Sequence, residues 1–102
     1  MISDRPVPTA PSDLAETPEG ATVVLRWSDR AANEAGYRVE WRTVNGAAGA
    51  PPWRPLKATP PADATTVRVR GPEPGTTAEY RIVAVNGNGR SVPSNAATAT
   101  KD

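Results

Sequence analysis

Cysteine and histidine are both absent from this chain of 102 residues. Without cysteine there is no disulfide framework, so a domain of this length must stand on packing alone. Without histidine the commonest general base, the usual proton shuttle and the commonest metal ligand are lost together. Excess charge of one sign is missing too. Twelve Lys and Arg stand against eleven Asp and Glu, a net charge of +1. That balance excludes the concentrated basic surface of a nucleic-acid binder. No run of about 18 apolar residues is present, which excludes a membrane-inserting helix. The opening Met1-Ile2-Ser3-Asp4-Arg5 lacks the apolar core of a secretory leader. The acidic residues do not have the spacing of a calcium loop. The glycines form no phosphate cradle ahead of a helix. Together these absences point away from an enzyme and from any metal or cofactor.

What the chain does have is punctuation. Twelve prolines and eight glycines separate short apolar runs, the texture of an all-β domain with many turns. Met1 to Thr9 is a polar, proline-bearing lead-in. Ala10 to Glu16 holds Leu14 and reads as a short first strand, with Pro11 suited to an edge. Ala21 to Ser28 alternates clearly: Val23, Leu25 and Trp27 share one face, Thr22, Val24, Arg26 and Ser28 the other. Tyr37 to Thr43 repeats the pattern, with Tyr37, Val39 and Trp41 opposite Arg38, Glu40 and Arg42. Val44 to Pro52 is a long loop. Trp53 to Ala58 reads as a short edge strand, because Pro55 bars a central position. Thr65 to Arg70 sets Val67 and Val69 against Arg68 and Arg70. Ala78 to Asn86 is the longest strand, followed by the Asn86-Gly87-Asn88-Gly89 hairpin signal. Ser91 to Thr100 closes the sheet, with Ala97 and Ala99 inward. About seven short strands at this spacing predict a two-sheet antiparallel, immunoglobulin-like sandwich.

An antibody-type domain would carry a Cys-Trp-Cys pattern; here both cysteines are missing and a tryptophan sits on the second strand. The chain instead resembles a fibronectin type III domain. The resemblance rests on Ala10-Pro11-Ser12-Asp13-Leu14, Val23-Val24-Leu25-Arg26-Trp27, Gly36-Tyr37-Arg38-Val39-Glu40, the stretch Pro74 to Gly89, and Ser91-Val92-Pro93-Ser94-Asn95. It covers 10–100, leaving 1–9 as a lead-in and 101–102 as a tail. Two departures stand out. Pro72 occupies the slot where the family places leucine before its Pro-Gly corner. The family also places a tyrosine near the start of the sixth strand, its hydroxyl bonded back across the corner. Counting back from Ala84-Val85-Asn86, that slot is Ala78; Tyr80 fills it if the corner is two residues longer. If Ala78 is the slot, a hydrogen bond of about 0.5–1.5 kcal/mol is missing and Ala78→Tyr is expected to stabilise.

Asp29 followed by Asn33-Glu34-Ala35-Gly36-Tyr37-Arg38-Val39-Glu40 is similar to modules of bacterial extracellular proteins. The resemblance implies a non-catalytic spacer or interaction module, monomeric in isolation, whose partners are neighbouring domains of one parent chain. It also implies a secreted or cell-surface location, between catalytic and carbohydrate-binding domains or in an adhesin.

Four features invite a functional reading. Trp53 follows Pro51-Pro52 on an edge, where an aromatic platform can stack sugars or proline-rich peptides; with Arg54 and the adjacent loop it makes a candidate polysaccharide or protein contact. Packing on the sheet surface is the plainer role. The outward Arg26, Arg38, Arg42, Arg68, Arg70 and Arg81 could form a basic face, but interleaved Glu40 and Glu79 predict a self-pairing surface. Arg90, in Gly89-Arg90-Ser91, sits where some family members carry an integrin-binding Arg-Gly-Asp, absent here; the loop stays a candidate contact. Asp29 and Glu34 share a loop and could be drawn as an acid/base pair, though turn and capping roles suit them better.

Overall fold

The period-two pattern of Thr22–Ser28 becomes a strand because its heavy side has a core to enter. Val23, Leu25 and Trp27 are buried while Arg26 points to solvent. The computed structural model describes residues 8–30, 34–44, 52–87 and 89–100. Its elements are β1 (Ser12–Glu19), β2 (Thr22–Ser28), β3 (Gly36–Val44), β4 (Arg54–Pro55), β5 (Thr66–Arg70), β6 (Thr77–Asn86), β7 (Gly89–Arg90) and β8 (Ala97–Thr100). No helix among the described residues is long and apolar enough to cross a membrane. One antiparallel sheet has the order β1-β2-β5; the other runs β4-β3-β6, with β7 and β8 both paired to β6. The two-sheet sandwich expected from the sequence is the fold observed.

The core is the sum of the inward faces. Leu14, Val23, Leu25, Trp27 and Val69 from the first sheet meet Tyr37, Val39, Ala78, Tyr80, Ile82, Ala84, Ala97 and Ala99 from the second. Trp27 packs edge-on against Tyr37, ring centroids 5.3 Å apart. Trp41 is only partly buried and stacks on Tyr80 at 6.3 Å. The alanines of β6 and β8 are the small partners that make room for these rings.

Strand limits differ from expectation where proline or a side chain intervenes. β1 runs on to Glu19, with Thr17 and Pro18 paired to Val24 and Val23. Pro18 is tolerated because β1 is an edge strand. Trp53 to Ala58 contracts to the two residues of β4, although Leu56 N–H still donates to the Val39 carbonyl. The closing strand begins at Ala97, not Ser91. Around Pro93, which has no N–H to donate, side chains complete the ladder. Ser91 Oγ accepts from Ala84 N–H and donates to the Val92 carbonyl; Ser94 Oγ accepts from Ile82 N–H and donates to the Asn95 carbonyl. Asn95 then joins the sheets, its amide accepting from Leu14 N–H at 2.9 Å and donating to the Leu14 carbonyl at 3.0 Å.

The register also fixes where the chain enters and leaves. Ser12 lies opposite Ser28, at the end of β2. Thr100 lies opposite Thr77, which in turn lies opposite Val44. Thr22, at the start of β2, lies opposite Arg70, and the connection from Arg70 to Thr77 is at that same end. β1 therefore starts at one end of the sandwich and β8 finishes at the other. The long axis is 53 Å against 27 and 21 Å across.

Candidate functional site

The outward side chains of β3 and β6 form an ordered charge pattern because antiparallel pairing sets opposite signs face to face. Glu40 lies opposite Arg81, and Arg42 opposite Glu79. Arg81 Nε donates to Glu40 Oε1 at 2.6 Å and Arg42 Nε to Glu79 Oε1 at 2.7 Å. Arg90, on β7, approaches Glu40 Oε2 at 3.6 Å. Trp53 lies over the diagonal of this square, with the guanidinium carbons of Arg42 and Arg81 each 4.3 Å from its ring. Under this cover Glu40 is only 6% exposed although it is on the outward face.

Of the three residues singled out from sequence, the structure brings Trp53 and Arg90 into one network through Arg81 and Glu40. Arg54 does not join it. It is exposed on the neighbouring position of β4, opposite Trp41. The loop residues 45–51 that would complete this contact lie outside the described residues. Trp53 is half-buried and engaged by two cations, the arrangement of an aromatic packed on a sheet.

A second cluster was only half visible in the sequence. Asp29 and Glu34 are joined by Asp63, and one oxygen of each lies within 4.8 Å of the others. Glu34 Oε2 accepts from Tyr37 Oη at 3.2 Å and from the Asp63 N–H at 2.9 Å. Asp63 has φ of 66°, which turns the chain so that its N–H faces Glu34. Three carboxylates could serve a hard cation, but Glu34 Oε2 already accepts two hydrogen bonds from the protein. With the Tyr37 hydroxyl and the Asp63 N–H as donors, Glu34 ties β3 to the turn before β5. Burial raises the Tyr37 pKa well above the ordinary phenol value, and the hydrogen bond to Asp29 and the charges of Asp29 and Glu34 raise it further.

Residues 9–100 match the family model of the fibronectin type III domain. The chain belongs to the fibronectin type III family. Among solved structures it is similar to the titin kinase with its flanking domains, at 21% identity and a TM-score of 0.76 over 94% of this chain. It is similar to the twitchin kinase region from C. elegans, at 28% identity and a TM-score of 0.74 over 93%. It spans only 17% of either of those two chains. A fibronectin type III-like protein from Clostridium thermocellum matches end to end, covering 95% of this chain and 96% of its own, at 23% identity and a TM-score of 0.71. No curated protein is a significant match.

Within this fibronectin type III domain the corner tyrosine is Tyr80. Its hydroxyl crosses the core and donates to the Arg70 carbonyl, at the end of β5 in the opposite sheet, at 2.9 Å. Ala78 is inward and fully buried, opposite Thr43 and Ala99. The expected gain from Ala78→Tyr is therefore withdrawn, because the bond it would add already exists two residues on. Of the two slots the sequence leaves open, Ala78 and Tyr80, the hydrogen bond selects Tyr80, with the longer corner. Burial, with the negative charge of Glu16 adding to it, pushes the Tyr80 pKa up to about 12. Fibronectin type III domains are generally non-catalytic modules of multidomain chains, and this one has the architecture of such a module.

Proposed function

We infer that this domain is a non-catalytic spacer within a longer bacterial protein that is secreted or displayed at the cell surface. The observation that supports this reading most is the placement of the two chain ends. β1 starts at one end of the sandwich and β8 finishes at the other. A module of that form sets the separation and limits the relative rotation of whatever flanks it. The outward charges pair among themselves, which keeps the faces of the sandwich from sticking to neighbours. The parent chain is of the kind that carries a carbohydrate-active enzyme, and the module holds that enzyme at a distance from its anchor or binding domain.

Small-angle scattering on two copies joined head to tail tests the spacer reading. The expected pair distribution is that of an extended rod, close to twice the single-copy length. A side-by-side compact dimer would overturn it.

A further inference from the structure

The sandwich is closed on one side and open on the other. On the closed side Asn95 links the β8 side to β1. On the open side β5 and β4 are facing edges, and among the described residues neither has a strand partner there. Between them lies a groove of about 750 Å³, within the size range of pockets that hold small ligands. Its floor is apolar: Trp41, Leu56 and Val69. Its rim is basic: Lys57, Arg68 and Arg70. Among the described residues no carboxylate lines it.

The backbone of β5 adds direction. Trp27 N–H donates to the Thr65 carbonyl, and Gly71 N–H to the Ala21 carbonyl. In an antiparallel ladder this parity makes Thr65, Val67, Val69 and Gly71 the residues bonded to β2. Thr66 and Arg68 therefore turn their N–H and C=O groups toward the free edge, as does the Arg70 N–H, while the Arg70 carbonyl already accepts from Tyr80 Oη. Side chains follow the same parity, with Val67 and Val69 inward and Arg68 and Arg70 outward.

We propose that this groove docks an extended acidic peptide segment of a partner protein, added as a strand to the free edge of β5. Alternate apolar side chains of the segment lie inward on Trp41, Leu56 and Val69. The carboxylates between them lie outward beside Lys57, Arg68 and Arg70. Glu19 and Glu73 hold Arg68 and Arg70 in the unbound domain. Both pairs are largely exposed, so incoming carboxylates exchange with them at little loss. A peptide suits the edge better than an acidic polysaccharide, because alternating backbone donors and acceptors at strand spacing are what the edge presents. Docking at this edge goes beyond the spacer reading, and the two fail separately: scattering on the tandem reports the spacing and is blind to the groove.

The test is a titration of the isotope-labelled domain with a short capped peptide alternating valine and glutamate. Amide shifts are expected along β5 and at Leu56, Lys57 and Ala58. Hydrogen exchange at the Thr66 and Arg68 N–H groups is expected to slow by about ten-fold at saturation. Affinity should fall with added salt. It should fall about ten-fold in the double variant Arg68→Glu, Arg70→Glu. Lys57→Glu, at an exposed position outside the strands, gives a second reading if that double variant unfolds. A valine–lysine peptide should not bind. The proposal is overturned by any of four results: absence of shifts with the acidic peptide, equal binding of the lysine peptide, protection confined to another edge, or a polyuronate moving the same amides as strongly.

Discussion

Removing the Tyr80 hydroxyl tests the most specific structural assignment made for this chain. The phenol is fully buried and its hydroxyl donates to the Arg70 carbonyl at 2.9 Å. Tyr80→Phe keeps the ring and its stacking on Trp41 and deletes only the donor. A net hydrogen bond contributes about 1 kcal/mol, and an acceptor left unsatisfied adds to the loss, so about 1–2 kcal/mol is expected. For a domain of this size that is a fall in Tm of about 5–10 °C and a urea midpoint lower by about 0.5–1 M at unchanged slope. The companion variant is Ala78→Tyr. Ala78 has no exposed surface and faces Thr43 and Ala99 across the sheet. A phenol there must displace its neighbours, which costs about 1–3 kcal/mol. Both variants should therefore be less stable than the parent. A raised midpoint for Ala78→Tyr together with an unmoved midpoint for Tyr80→Phe would refute the assignment and return the corner slot to Ala78.

Three further outcomes follow from the same structure. Folding favours the neutral phenols of Tyr80, whose pKa is pushed up to about 12, and of Tyr37, which is raised further still. Their contribution is fully present below pH 10 and is lost as pH rises through the folded values. Stability should thus fall by about 1.4 kcal/mol per pH unit for each tyrosine above pH 10. Absorbance at the phenolate band during alkaline titration checks this, and ionisation of both tyrosines in the folded state near pH 10 would contradict it. Trp53→Ala uncovers Arg42 and Arg81 and should cost about 1–2 kcal/mol, read by denaturant melts; a binding loss on a glycan array with no stability change would instead mark a ligand platform. Ser94→Ala strands the Ile82 N–H beside Pro93 and should cost about 1–3 kcal/mol, with faster hydrogen exchange at Ile82 as the local signature.

The parts of the fold legible in the sequence were those governed by period. Val23, Leu25 and Trp27 alternate with polar residues, and their burial follows from the pleat alone. Ala97 and Ala99 were readable for the same reason. What was not legible depends on separation along the chain. Asp63 meets Glu34 across 29 positions through a turn with positive φ, and no local pattern announces that meeting. Ser91 and Ser94 looked like the start of a strand; that their hydroxyls stand in for backbone around Pro93 is visible only when β6 is beside them. Glu40 looked solvated by parity. Its burial comes from Trp53, just before β4, and from Arg81 and Arg90 on β6 and β7.

That last difference bears on where this domain can make contacts. Sequence parity alone puts six arginines on outward faces, and a basic surface could be drawn from them. Pairing divides four of them into two kinds. On the β3–β6 face Arg42 and Arg81 are mostly buried beneath Trp53, paired with Glu79 and Glu40, and Glu40 is almost wholly buried. Displacing Glu40 would leave the Arg81 guanidinium in a poorly solvated place, a loss of several kcal/mol for a buried pair. At the β5 edge Arg68 and Arg70 are held by carboxylates in open water, where a pair contributes about 0–1 kcal/mol. A partner's acid can replace the second kind and not the first. The face that is richest in charge is thus the one least free to bind, and the capacity for contact moves to the narrow edge where backbone and guanidinium groups are both within reach of an incoming strand.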